Sequence, residues 1–295
     1  MREVIFLRTL SYSGGGYVLL QQLIEDVTGR PFAALAQELI FDKLGMANST
    51  FESRLPEAYI PQAATAHRSS GEPVPGKWHT YPEQPPASLW STPSDVARLT
   101  VEVLKSRENE ANLVLSAEMT RQMLTPYVSN WVGLGFPILE KDGKIRFEHP
   151  GWNEGFHSLM AGYLDTGRGL VWMTNGENGK LLGHEVMRAL DNVFGSPGYE
   201  PVEKSTAQVD TVAFTQCEGK YRDVDYPDYG VEIIKDGEHL FLQETPGGIR
   251  YQLYPESETE FFCLEHSEEI TFIKNAKGNV EALMIGESSY LERVE

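Results

Sequence analysis

Residues 11–52 read SYSGGGYVLLQQLIEDVTGRPFAALAQELIFDKLGMANSTFE, and the fold is decided here. Tyr17, Leu20, Ile24 and Val27 recur at three- and four-residue steps, the period of an amphipathic helix, and Gly29 stands where a helix over 14–29 would end. Pro31 suits the first position of a second helix, because the N–H it lacks would be unpaired there anyway. Phe32, Leu35, Leu39 and Ile40 then share one face, with Gly45 beyond the end.

Working outward, residues 56–93 are rich in Pro, Gly, Ser and aromatics and hold no period, which reads as a long functional loop or lid. Thr92-Pro93-Ser94-Asp95 opens a further helix, with Thr92 as cap and Asp95 placed to reach back to it. Val96, Leu99, Val103 and Leu104 form its apolar face, and Ser116 opens a short helix carrying Met119, Met123 and Leu124. The period then changes. Residues 133–139, 144–149, 156–164 and 169–174 read as strands, with turns at Asp142-Gly143 and Asp165-Thr166-Gly167. A last helix over 180–194 ends at Gly195. Helices segregated from an antiparallel meander make the first part α+β.

Residues 196–212 read as a polar linker between a domain over 1–195 and a second over 213–295. The second alternates like strands throughout, with hairpin turns at Asp236-Gly237 and Lys277-Gly278-Asn279. It reads as a small all-β barrel or sandwich without a helix.

Composition narrows the partners. The net charge of −18 argues against nucleic acid and an anionic membrane surface. No apolar run approaches the ~20 residues of a membrane span, and residues 1–10 are too short in apolar sequence for a signal peptide. As written the chain reads as cytoplasmic. Cys217 and Cys263 form no metal or redox motif and are either one disulfide or two buried thiols. No His-Glu-x-x-His is present, so neither a metal nor another cofactor is expected.

Five blocks follow in order: the Tyr12-Ser13-Gly14 stretch with its Leu-Gly-Met turn, SLWSTPSDVARL from Ser88, GLGF from Gly133, HPGWNEGF from His149 and MTNGENG from Met173. Together they resemble the serine β-lactamase and penicillin-binding-protein family, with its class C β-lactamase, D-Ala-D-Ala peptidase and esterase members, over roughly residues 11–195. The resemblance implies acyl transfer to or from a small-molecule or peptide substrate, in proteins that are usually exported. It places Tyr12 as the proton shuttle of the Tyr-x-Asn motif. A free phenol ionises near pH ~10, so such work leans on a neighbouring lysine. Gly14 stands where class C enzymes carry an asparagine that bonds the substrate amide, which turns the reading toward esterase-like members. His149-Pro150-Gly151 matches the Lys-Thr-Gly strand: His149 would place a substrate carboxylate, Gly151 would give the substrate room, and the Trp152 backbone N–H would be an oxyanion donor. His67, His79 and His157 receive no role, and Trp78, Trp90 and Trp131 read as core. The 213–295 domain resembles the lipocalin-like β domain often appended to these hydrolases.

The nucleophile is missing. The family's chemistry needs Ser-x-x-Lys, because residues i and i+3 share a helix face and the amine can then activate the hydroxyl. Of the eleven lysines only Lys274 has a hydroxyl residue three places before it, Thr271, and that pair lies among the predicted C-terminal strands. A Gly-x-Ser-x-Gly elbow is also absent. The expectation is a hydrolase truncated or mis-started at its N-terminus, catalytically incomplete as encoded. The alternative is a non-catalytic ligand- or peptidoglycan-binding relative.

Overall fold

Helix α1 (Gly14–Thr28) forms as its period predicts: Ser13 Oγ accepts from the Gly16 N–H, and Gly29 closes it at φ +66°. The computed structural model describes residues 12–127, 129–141, 143–194, 203–224, 226–245, 250–264, 269–286 and 289–294. The expected turn residue Asp142, the helix stop Gly195 and Ser11 lie outside them. The chain divides into two compact units, Met1–Tyr199 and Glu200–Glu295.

In the first unit the second predicted helix is corrected in two ways. Pro31 is the cap rather than the first helical residue, and the helix α2 (Phe32–Ala36) passes through a π turn, Gln37–Phe41, into α3 (Asp42–Leu44). The extra residue in the π turn rotates the apolar stripe. Phe41, Leu44 and Met46 are therefore buried with Ala36, while Leu39 faces out. In α1 the apolar stripe exists but none of its side chains is buried among the described residues.

The 56–93 loop carries a 3₁₀ turn, Ile60–Gln62, and a short helix, α4 (Gln84–Ala87). The helix α5 (Pro93–Arg107) is capped by Thr92 Oγ1, which accepts from the Asp95 N–H. The Asp95 carboxylate does not reach back to it. Its Oδ2 accepts from the Asn48 N–H at 2.7 Å and Ser49 Oγ at 3.0 Å, tying the Leu-Gly-Met turn to α5. A carboxylate this buried (4% exposed) is held by such donors. α6 (Ala117–Met123) follows, capped by Ser116.

Strands β1 (Ile138–Lys141), β2 (Lys144–Asn153), β3 (Phe156–Tyr163) and β4 (Arg168–Thr174) form an antiparallel sheet in chain order. Strand β1 begins at Ile138, so residues 133–137 are not the strand expected there, and β2 runs four residues past His149. α5 packs on one face, where Val96, Val103 and Leu104 meet Phe147 and Met160. Each such side chain contributes ~1.5–3 kcal/mol when buried. α7 (Gly179–Phe194) packs on the other, around Met187, Ala161, Tyr163 and Leu170. Gly183 permits that approach, since a Cβ there would lie 2.2 Å from the Trp172 ring.

The second unit is a closed eight-stranded antiparallel barrel: β5 (Gly219–Asp223), β6 (Gly230–Asp236), β7 (His239–Thr245), β8 (Arg250–Pro255), β9 (Glu260–Phe262), β10 (Ile270–Lys274), β11 (Val280–Ile285) and β12 (Ser289–Arg293), closed by the β9–β10 and β12–β5 pairs. It does contain a helix, α8 (Thr211–Cys217), capped by Asp210, contrary to the reading of strands alone. Phe214 from α8 meets Phe261 at 5.9 Å, and Phe272 touches Phe261 and Tyr221 at 5.4 and 6.1 Å. Side chains thus fill the interior in the manner of small barrels. The preceding residues are fixed to the barrel, since Lys204 Nζ donates to Glu256 and Glu269 and the Ala207 N–H donates to Pro255 O.

Cys217 and Cys263 are both free and buried, and burial pushes the Cys217 thiol up to about 12. A fragment over 203–295 should therefore give a β-type circular dichroism spectrum and two thiols that react with Ellman's reagent only in denaturant. A coil spectrum, or thiols titrating freely in native buffer, would refute it.

Candidate active site

The strand β2 carries the His149-Pro150-Gly151-Trp152 block in its outer half. Its pairing with β3 is regular from Arg146↔Tyr163 to Asn153↔Phe156, so strand alternation assigns the faces. Phe147, in the core beneath α5, shares its face with His149, Gly151 and Asn153. Arg146, which bonds Asp191 of α7, shares the opposite face with Glu148, Pro150 and Trp152.

The same period sorts the backbone groups. The Glu148 N–H donates away from β3, to Pro137 O at 3.0 Å. Residues 150 and 152 point their nitrogens to that side too. There β1 has already ended, its last pair being Ile138↔Phe147. Proline is tolerated at residue 150 because the N–H it lacks would face an open edge. Among the described residues no strand pairs with that edge beyond Phe147, and the Trp152 N–H points out of it.

Two bridges join α1 to this edge. Gly14 lies against Pro86 of α4, a Cβ on it falling 3.7 Å away, and the next residue, Ala87, accepts a hydrogen bond from Asn153 Nδ2 at 2.9 Å. Gln21 Nε2 also donates to Gln84 Oε1 at 2.8 Å. In the second bridge Tyr17 Oη sits 3.3 Å from where a Gly135 Cβ would be, and Phe136 meets the His149 ring edge-on at 6.5 Å. Gly14 is thus linked through α4 to Asn153, and Tyr17 of the same helix through residues 135 and 136 to His149. Tyr12 precedes the α1 cap, is 82% exposed, and forms no hydrogen bond among the described residues.

The MTNGENG block supplies a clamp that residue types alone did not disclose. Glu177 accepts from Trp152 Nε1 at 2.7 Å and from the Gly155 N–H at 2.6 Å. It fixes the Trp152 indole, which stays 69% exposed, and the β2–β3 turn. Asn175 and Asn178 donate to Thr65 O and Ser69 O, strapping the long loop down. His67 joins that strap through Asn175 O, and His79 pairs with Glu154 at 2.6 Å beside Arg68. His157 stacks beneath Trp152, and burial holds it below the ordinary histidine value, hence neutral. Trp78 and Trp90 meet edge-on, half-buried, but Trp131 is an exposed residue rather than core. Among the described residues no group of His, Cys, Asp and Glu is placed to hold a metal ion, and no helix is long and apolar enough to cross a membrane.

Gly151 faces Ser158 across the ladder, and a Cβ on it would come 2.4 Å from Ser158 Oγ but 3.8 Å from Ser158 Cβ. Gly151→Ala should therefore destabilise the unit by ~1–3 kcal/mol, the usual cost of overpacking. Adding Ser158→Ala should recover most of that in a urea titration. A double variant no better than Gly151→Ala would show that the clash is elsewhere.

The first unit is a helical layer on an antiparallel sheet, with the tyrosine block bridged to the outer half of β2. The chain belongs to the beta-lactamase family, whose profile matches residues 8–191. Penicillin-binding protein 4* of Bacillus subtilis (strain 168) is 25% identical over 285 residues, covering 88% of this chain and 61% of that protein. The chain thus spans less than two thirds of the curated relative it matches. In fold it is similar to the octameric penicillin-binding protein homologue from Pyrococcus abyssi, with a TM-score of 0.56 and 18% identity over 96% of this chain and 65% of that one. It is also similar to the penicillin binding protein from Bacillus halodurans, with a TM-score of 0.51 and 20% identity over 63% of this chain and 56% of that one.

Proposed function

We propose that this chain carries most of an acyl-transferring serine hydrolase acting on a peptide, ester or lactam, whose Ser-x-x-Lys pair lies in a segment outside these 295 residues. The observation that carries the reading is the open edge of β2, where the Trp152 N–H points outward beside Gly151. The serine Oγ of that segment attacks the acyl carbonyl, and the developing oxyanion accepts from the Trp152 N–H. Tyr12, paired with the lysine, takes the serine proton as the acyl–oxygen bond to serine forms and returns it to the leaving group as the bond between that group and the carbonyl carbon breaks. His149 places a substrate carboxylate, and Gly14 leaves space where an asparagine would hold an amide.

The outer face of α1 supports the same reading. Leu19, Leu23 and Val27 are exposed along one helix, and an apolar stripe of that kind marks a surface that another segment covers. The absent Ser-x-x-Lys favours a second reading, a non-catalytic ligand-binding relative. Covalent labelling by a fluorescent penicillin or fluorophosphonate, of this chain and of one extended upstream, separates the two: labelling of the extended chain alone supports the hydrolase, and labelling of neither supports the binder.

A further inference from the structure

α5 turns Val96, Val103 and Leu104 toward the sheet; its opposite side lines a groove of about 620 Å³ with Lys43 and Leu44 of α3 and the segment 110–113. Arg98 and Lys105 stand on this groove two helical turns apart, ~10 Å along the axis. Lys43 of α3 lines the same groove. On a chain of net charge −18, three cations converging on one concavity form a local exception to the surrounding field.

The neighbouring carboxylates are already engaged. Glu102, buried between the two α5 cations, accepts with Oε1 from Ser106 Oγ at 2.9 Å and from the Leu113 and Val114 N–H groups at 2.7 and 3.2 Å. It therefore spends its charge fixing the far wall. Asp95 takes Asn48 and Ser49 and lies 4.0 Å from Arg98 Nε. Glu38 is held by Arg30 at 2.5 Å, and Asp42 accepts from Gln37 Nε2 at 2.6 Å. Lys43 and Lys105 have no ion-pair partner among the described residues, and Glu110 is the lining carboxylate that remains unengaged. The floor between the cations is apolar, with Val101 and Leu113 both exposed to the groove.

We propose that this groove binds an amphiphilic anion, a phosphate or carboxylate head with a short aliphatic body. The head pairs with Arg98 and Lys105, Arg98 being able to engage two oxygens at once, and the body lies on Val101 and Leu113.

The test is an amide chemical-shift titration of the ¹⁵N-labelled 295-residue chain with n-butyl phosphate and, separately, with inorganic phosphate. Saturable shifts confined to residues 97–105 and 110–113, with butyl phosphate the tighter ligand, are expected. Arg98→Gln/Lys105→Gln should weaken both by about tenfold or more, the equivalent of one charge-assisted hydrogen bond. Val101→Asp, at an exposed position, should weaken both while leaving the circular dichroism spectrum intact. Equal affinity for the two ligands, shifts spread over other basic residues, or affinity unchanged in either variant would overturn the proposal.

Discussion

Incubated with a fluorescent penicillin or a fluorophosphonate, the 295-residue chain should remain unlabelled, whereas the same chain extended by a Ser-x-x-Lys segment should label stoichiometrically. Lys274 is the one lysine with a hydroxyl three residues before it, and it belongs to β10. The helical period that brings residues i and i+3 together does not operate in a strand. Removing the nucleophile of a serine hydrolase costs on the order of 10⁶ in kcat, about 8 kcal/mol of transition-state stabilisation. The oxyanion donor at Trp152 contributes only where an oxyanion forms. In the extended chain Tyr12→Phe should slow acylation by ~10²–10⁴, the range of general acid–base catalysis, without unfolding the domain, because the side chain is exposed. Stoichiometric modification of any serine in the unextended chain would sink the account.

How much of this was legible in the residues depends on the range of the interaction that fixes each element. α1, α5 and α6 were readable because their caps and periods are local: Ser13, Thr92 and Ser116 each bond an N–H three residues on. The π turn at 37–41 was not, because the shift it makes is recorded only in which residues become buried. The continuation of β2 through Pro150 was hidden for a different reason. Proline discourages a strand unless one edge is open, and that edge is known only once β1 is seen to stop at its pair with Phe147. Of the candidate site residues, Gly14, His149, Gly151 and Trp152 follow from the resemblance of their blocks to the family's motifs. Glu177, Asn153 and Ala87 were missed, since their work is tertiary: each bonds a group more than twenty residues away. The block MTNGENG had been singled out, and its Asn and Glu side chains, too polar for a strand end, were the available signal.

Replacing Asp191 should produce a large loss of stability in the first unit. Asp191 is 1% exposed on α7, and it accepts from Tyr163 Oη and, at 3.3 Å, from Arg146 Nη1. Arg146 Nε lies 3.0 Å from Glu148 Oε2 but is out of line for a hydrogen bond there. The guanidinium thus lies between two carboxylates, Glu148 at 3.0 Å and Asp191 at 3.3 Å, and donates a hydrogen bond to Asp191. Burial drives Glu148 above the ordinary carboxylate value, against the pull of the Arg146 cation. It drives the Tyr163 hydroxyl well above the usual phenol value, so that hydroxyl remains a donor. Asp191→Ala leaves the buried Tyr163 hydroxyl without its acceptor and Arg146 with Glu148 alone, and breaking a buried pair costs up to ~3–5 kcal/mol. Asp191→Asn keeps an acceptor for Tyr163 and removes only the charge, so it should fall between that variant and the parent. Tyr163→Phe leaves the ion pair intact and should cost ~1.5–3 kcal/mol, the worth of a hydrogen bond to a charged group. Arg146→Met combined with Glu148→Leu and Asp191→Leu exchanges the cation and both its carboxylates for apolar volume, and it should be more stable than Asp191→Ala because no charge is left unpaired. Urea midpoints for the four variants give the order directly. If Asp191→Ala lies within about 1 kcal/mol of the parent, the α7 face is held by its apolar contacts at Met187 and Gly183, and the polar network is incidental to it.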